Sequence, residues 1–237
     1  MHITAALTYP FRSDNIKPAL MWPIIIHASV VVVAIAVVLV AVIFGAVADL
    51  SEDAALVVLI PLFIGLAVVG LIVSAPMIGY LWALTGVCLA QGYQATSPPF
   101  KGNWVQFTWA GGHLYLLSLI LAIPSVLNIL TLGLLTPFFM GPFLLSAQQC
   151  TVAEYFRQLG PGISLSKDNY LRLLGATYMG IPLMLGYWIL ALGLNITIIG
   201  YLFSGACQIW CYMAWLSLFV QQVTPKTEAV LAQADPF

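Results

Sequence analysis

Charge is what this chain lacks. Its 237 residues hold seven basic and eight acidic side chains, 6% of the total, where an ordinary soluble domain carries about 25%. A water-facing surface cannot be built from so few. With 62% apolar residues and a mean hydropathy of +1.04, the expected solvent for most of the chain is lipid. A net charge of -1 without a basic cluster argues against a nucleic-acid partner and against a polybasic membrane-surface tail. Cysteine is also scarce. Cys88, Cys150, Cys207 and Cys211 all fall in apolar runs and read as small buried hydrophobes, not as a disulfide framework.

Motifs of catalysis are missing as well. No Asp, Glu, Lys or Arg stands at the centre of an apolar stretch, where proton pumps and ion-coupled transporters place one. Neither a His-x-x-x-His nor a Gly-x-Ser-x-Gly spacing occurs, so neither metalloprotease nor serine-nucleophile chemistry is supported. Cys207 and Cys211 share a helix face, but no further ligands complete a metal set. Gly160-Pro161-Gly162 has no lysine after it and reads as a turn, not a phosphate loop. No enzyme activity, metal or cofactor is expected.

What is present is a series of long uncharged stretches. Ala46-Val47-Ala48 has the small-x-small form of a signal-peptide cleavage site, but the run before it, Trp22 to Val47, is 26 residues long. A signal-peptide core has about 7–15 residues and a spanning helix about 20, so this is expected to be an uncleaved first span. The chain as a whole is expected to be one all-α domain, a polytopic transmembrane helix bundle. Six spans are expected, near 20–48, 54–76 (continuing to about 90), 111–130, 134–153, 171–192 and 196–222. Before the third, Lys101, Trp104, Phe107 and Trp109 are expected to form a short interfacial helix. Pro124, Pro137 and Pro142 make the 111–153 hairpin irregular, and a re-entrant pair is the competing reading.

Orientation follows from the basic residues. They fall at Arg12 and Lys17, at Lys101, at Arg157, Lys167 and Arg172, and at Lys226, while the three intervening loops hold none. Six spans place those groups on opposite sides, and the excess of positive charge puts both termini in the cytoplasm. The expected location is a cell membrane or an internal prokaryotic membrane.

Three similar phrases introduce the odd-numbered spans: Ser13-Asp14-Asn15-Ile16-Lys17, Lys101-Gly102-Asn103-Trp104 and Ser166-Lys167-Asp168-Asn169-Tyr170. Their Asp and Asn residues are expected to cap helix starts by accepting from first-turn N–H groups. No fixed period supports a true repeat.

Several residues in order carry a resemblance. They are Tyr9-Pro10-Phe11-Arg12, Gly79-Tyr80, Pro98-Pro99-Phe100 with Trp104, Gly111 or Gly112, and Gly200 ahead of Trp215-Leu216-Ser217-Leu218-Phe219. On these the chain resembles the prokaryotic integral membrane family known as domain of unknown function 4013. The resemblance spans nearly the whole chain and implies a membrane helix bundle. It carries over no functional residues.

Polar residues inside the apolar stretches are the remaining candidates. His27 and His113 could ligate a metal or tetrapyrrole through a ring nitrogen, or simply sit at the interface. Gln148, Gln149, Glu154 and Gln208 could line a polar passage or hydrogen-bond between helices. The expected role is a structural, assembly or accessory subunit of a membrane complex. Its partners would be the lipid bilayer and other membrane subunits, or a second copy. A small permease for a neutral or lipidic substrate is the alternative.

Overall fold

The charge-free stretches become helices, because backbone N–H and C=O groups in an apolar surrounding must be satisfied within their own segment. A computed structural model describes residues 7–17, 21–48, 52–92, 95, 98, 99 and 102–231. After two short N-terminal turns, Tyr9–Phe11 and Ser13–Ile16, the long helices α1 (Trp22–Ala48) and α2 (Glu52–Gln91) form an antiparallel hairpin. The middle of the chain holds α3 (Trp104–Ile120), α4 (Ala122–Leu130), α5 (Thr136–Ser146), α6 (Val152–Arg157) and α7 (Leu159–Asp168). A second long hairpin, α8 (Tyr170–Leu194) and α9 (Ile198–Leu231), ends the fold. No strand occurs among the described residues.

Four of these helices, α1, α2, α8 and α9, are long and apolar enough to cross a membrane; counting α3 and α4 as one bent span makes five. The expectation of six spans is thus met in part. The span expected at 134–153 is divided: α5 has 11 residues, about 16 Å of helix against a hydrocarbon core of about 30 Å. Pro124 explains the break before it. It has no N–H to donate to the Ile120 carbonyl and its ring crowds that group, so α3 stops at Ile120 and α4 leaves at a bend of 60°. Among the described residues no separate interfacial helix precedes the third span either. Trp104, Phe107 and Trp109 belong to α3 itself, which passes through Gly111 and Gly112 without interruption.

Glycine sets the closest helix contacts. A Cβ on Gly79 would meet the Phe107 carbonyl and one on Gly111 would meet the Ala75 carbonyl, so α2 and α3 touch backbone to backbone. Ser74 Oγ and Tyr115 Oη share a hydrogen bond of 2.6 Å further along the same seam. Gly141 and Gly162 do the same for α5 and α7. Ser166 Oγ lies 2.6 Å from the Pro137 carbonyl and 2.8 Å from that of Gly162, with one proton to give to either.

The tip between α4 and α5 is tied to the first half of α8. Tyr170 Oη donates to the Leu134 carbonyl at 2.9 Å and Tyr178 Oη to the Leu132 carbonyl at 2.7 Å. Leu132 and Gly133 turn there with positive φ (52° and 83°). The other hairpin reaches much further. His27 meets Gly205, and beyond that contact α1 runs another 21 residues to Ala48, while α9 has seven back to Ile198. At 1.5 Å per residue the α1–α2 hairpin outreaches the α8–α9 hairpin by about 20 Å.

The core lies at the opposite end. Trp82, Tyr80, Leu84, Leu173, Met213 and Leu216 are fully buried there. Tyr9 folds in from the N-terminal turn, its phenol donating to the Ala95 carbonyl at 3.0 Å and lying 3.3 Å from Cys88 Sγ.

Candidate functional site

Where α2, α3 and the α5–α6 turn meet, a cavity of about 290 Å³ is lined by Ala83, Gln106, Phe107, Trp109, Ala110, Gln148, Gln149 and Cys150. Each element contributes for a local reason. The close seam at Gly79 and Gly111 fixes α3 so that Phe107 turns inward onto Tyr80, edge to face at 5.5 Å. One turn of helix allows Gln106 and Trp109 to share the next face, and both are exposed. The α5–α6 turn arrives because Trp82 stacks on Phe143 at 5.5 Å and Gly86 admits the Ala147 backbone. Cys150 then closes the turn with φ 53°, its N–H on the Ser146 carbonyl and its Sγ donating to the Ala147 carbonyl at 3.0 Å.

The chemistry of this lining is neutral. Each amide offers two N–H donors and a carbonyl acceptor, and no charged side chain is among the described lining residues. Gln148 and Gln149, picked from the sequence as possible lining, meet here. Gln106 was not picked. Its signal was its place among Trp104, Phe107 and Trp109, three aromatics that drew the reading instead.

Glu154 and Gln208 lie elsewhere. Glu154 is buried in α6, where Gln158 Nε2 donates to it at 2.6 Å and Arg157 approaches to 3.6 Å. Its backbone N–H also donates to the Thr151 side chain, a helix cap. Gln208 is exposed on α9. Burial pushes the neighbouring Tyr155 phenol above its ordinary range, so α6 holds a neutral ring beside its one buried carboxylate. Lys101 lies outside the described residues, while Trp104 and Trp109 are exposed at the start of α3.

The two histidines lie apart, on α1 and α3. His27 Nδ1 lies 2.8 Å from the Pro23 carbonyl, to which it donates, and the Nδ1–Cε1–Nε2 edge packs on Gly205 of α9. His113 meets Trp109 edge to face at 5.3 Å. Cys207 and Cys211 are half-buried on α9, and no group of three metal-ligating side chains occurs among the described residues.

A second hollow, of about 500 Å³, runs between α8 and α9. Its wall is Gly180, Ile181, Met184, Leu185, Trp188 and Trp215, with the hydroxyls of Thr177 and Tyr212. Those hydroxyls are engaged, Thr177 with the Leu173 carbonyl and Tyr212 with Thr85 at 2.8 Å. The cleft is apolar.

Comparison with protein-family models, with curated proteins and with solved structures finds no match to this chain.

Proposed function

We propose that this chain is a non-catalytic subunit or assembly factor of a membrane complex, and that it docks its partner through the α1–α2 hairpin. The observation that carries the reading is the offset of about 20 Å between the two long hairpins. A hydrocarbon core about 30 Å thick that matches one hairpin leaves the end of the other outside it. Toward that end the described side chains of α1 and α2 are apolar, with Val38, Val42, Val57 and Ile60 between 56% and 72% exposed. Surface of that kind outside lipid calls for a protein cover.

In this reading α1, α2, α8 and α9 cross the membrane and the 102–168 segment enters and leaves on one side. The ties from Tyr170 and Tyr178 support it, since a pair that crossed fully would bring its tip toward Leu194 instead. Both termini and every basic loop then share the cytoplasmic side. Membership of the family that the sequence resembles is part of the same proposal.

Detergent-free extraction into polymer-bounded lipid discs, followed by mass measurement, tests the reading. A particle whose protein mass exceeds one 25.6 kDa chain is expected; a uniform population of single chains would overturn it. A permease for a neutral or lipidic substrate is the second reading, favoured by the amide-lined cavity, and it predicts substrate flux in sealed vesicles holding this chain alone.

A further inference from the structure

The cavity beside α3 has a chemistry of its own, independent of the hairpin. We infer that it binds an uncharged, polyhydroxylated group of the size of one sugar ring.

Four observations converge. First, Gln106 and the pair Gln148 and Gln149 come from segments about forty residues apart and line one hollow, where all three are exposed and open to an incoming group. Three amides present both donors and acceptors, the complement of vicinal hydroxyls, which also give and accept. Second, no described lining residue is charged, so a phosphate or ammonium would be left unpaired on entering. Third, Phe107 and Trp109 supply flat apolar walls, which suit the C–H face of a pyranose, while the amides suit its rim. Fourth, at about 30 Å³ for each water-sized group, 290 Å³ holds roughly ten of them. That is room for a single sugar ring.

The turn that delivers two of the amides is held out of the ordinary. Cys150 is not glycine, yet it adopts φ 53°, a conformation uncommon for residues other than glycine. The turn it ends meets α2 at Gly86, and its two glutamines line the hollow beside α3. The exposed rings of Trp104 and Trp109 are of the type enriched at the headgroup level of a bilayer, so the sugar could arrive as a lipid headgroup or free in solution.

The experiment uses the full chain in phosphatidylcholine nanodiscs. One arm adds monoglucosyl diacylglycerol, a second adds phosphatidylglycerol, and a third adds glucose to the buffer. Retained lipid is counted by native mass spectrometry and tryptophan emission is followed in all three. Preferential retention of the glucolipid over phosphatidylglycerol is expected if the headgroup is the source. A saturable emission change with glucose alone identifies the free sugar. Replacing Gln106 and Gln148 together by Leu should weaken either response about tenfold or more, two lost hydrogen bonds at about 1 kcal/mol each. Trp109→Ala should abolish the emission change, and Gln208→Leu, away from the cavity, should leave binding unchanged. Equal retention of both lipids with no response to glucose would overturn the inference. So would wild-type binding in both the double variant and Trp109→Ala.

Discussion

Gly205 lies against the nitrogen-bearing edge of the His27 ring, and that one contact sets how far α1 runs beyond α9. A Cβ at position 205 would overlap the imidazole, so a larger residue there obliges the ring or the helices to shift. Gly205→Ala is expected to destabilise the protein by about 1–3 kcal/mol, as overpacking does in a close-packed site. His27→Ala in the same chain should return part of that loss. Thermal unfolding of the two single variants and the double variant measures the coupling. Additive losses would show that the two residues do not share the contact.

The asparagines of the three related phrases each donate to a carbonyl of the preceding segment. Asn15 Nδ2 donates to the Tyr9 carbonyl at 2.8 Å, Asn103 Nδ2 to that of Pro99 at 3.1 Å, and Asn169 Nδ2 to that of Leu165 at 3.0 Å. Asn103 and Asn169 stand at the N-cap positions of α3 and α8 yet make no side-chain cap bond. The capping expected of Asn103 and Asn169 is therefore corrected: each ties the segment before it to the helix start. Asn169→Asp separates the two roles. A cap would tolerate the change or gain from the helix dipole. A donor lost and replaced by a carboxylate facing a carbonyl should cost at least about 1 kcal/mol, read as a fall in the midpoint of unfolding.

Tyr9 offers a test by pH. Burial first, and Cys88 beside it second, hold its phenol far above the usual range of a tyrosine. In the unfolded chain the phenol ionises near pH 10; in the folded chain it stays neutral there. The neutral form thus contributes stability that is complete below about pH 10 and lost as the pH rises beyond it. Tyr9→Phe should weaken the fold by about 1 kcal/mol through loss of the bond to Ala95 and flatten the alkaline fall. An unchanged alkaline limb in the variant would assign that fall to other groups.

Glycines on and off the helix seams should behave oppositely. A Cβ on Gly79 meets backbone atoms of α3, whereas one on Gly65 or Gly70 of the same helix meets nothing within 4 Å. Gly79→Ala is expected to disrupt the α2–α3 seam. Gly65→Ala and Gly70→Ala should instead stabilise the isolated chain by up to about 1 kcal/mol through helix propensity. Unfolding of all three in one detergent compares them directly.

The long helices were legible because uncharged runs of 20 or more residues have few alternatives. The turns at 128–137 and 193–195 were marked by Asn and Gly. The division of 134–153 was harder to see, since α5 is as apolar as a span and Pro142 sits inside it without ending it, while Pro124 acts four residues upstream at Ile120. The cavity was half legible. Gln148 and Gln149 stood out as polar in an apolar run, but their meeting with Gln106 depends on the turn approaching α2 at Gly86 and Trp82, a contact between distant segments that no local pattern marks. Glu154 drew notice as an acid at the end of an apolar run, and it lies buried in α6, hydrogen-bonded by Gln158 and approached by Arg157.

The hairpin is the central claim, and site-specific photo-crosslinking in native membranes tests it most directly. A benzophenone side chain at Val38 or Ile64, each 59% exposed on the hairpin, should give a discrete protein adduct of defined mass, and one at Leu192 on α8 should give little. Lipid adducts alone at Val38 and Ile64, with the chain remaining single, would contradict the account.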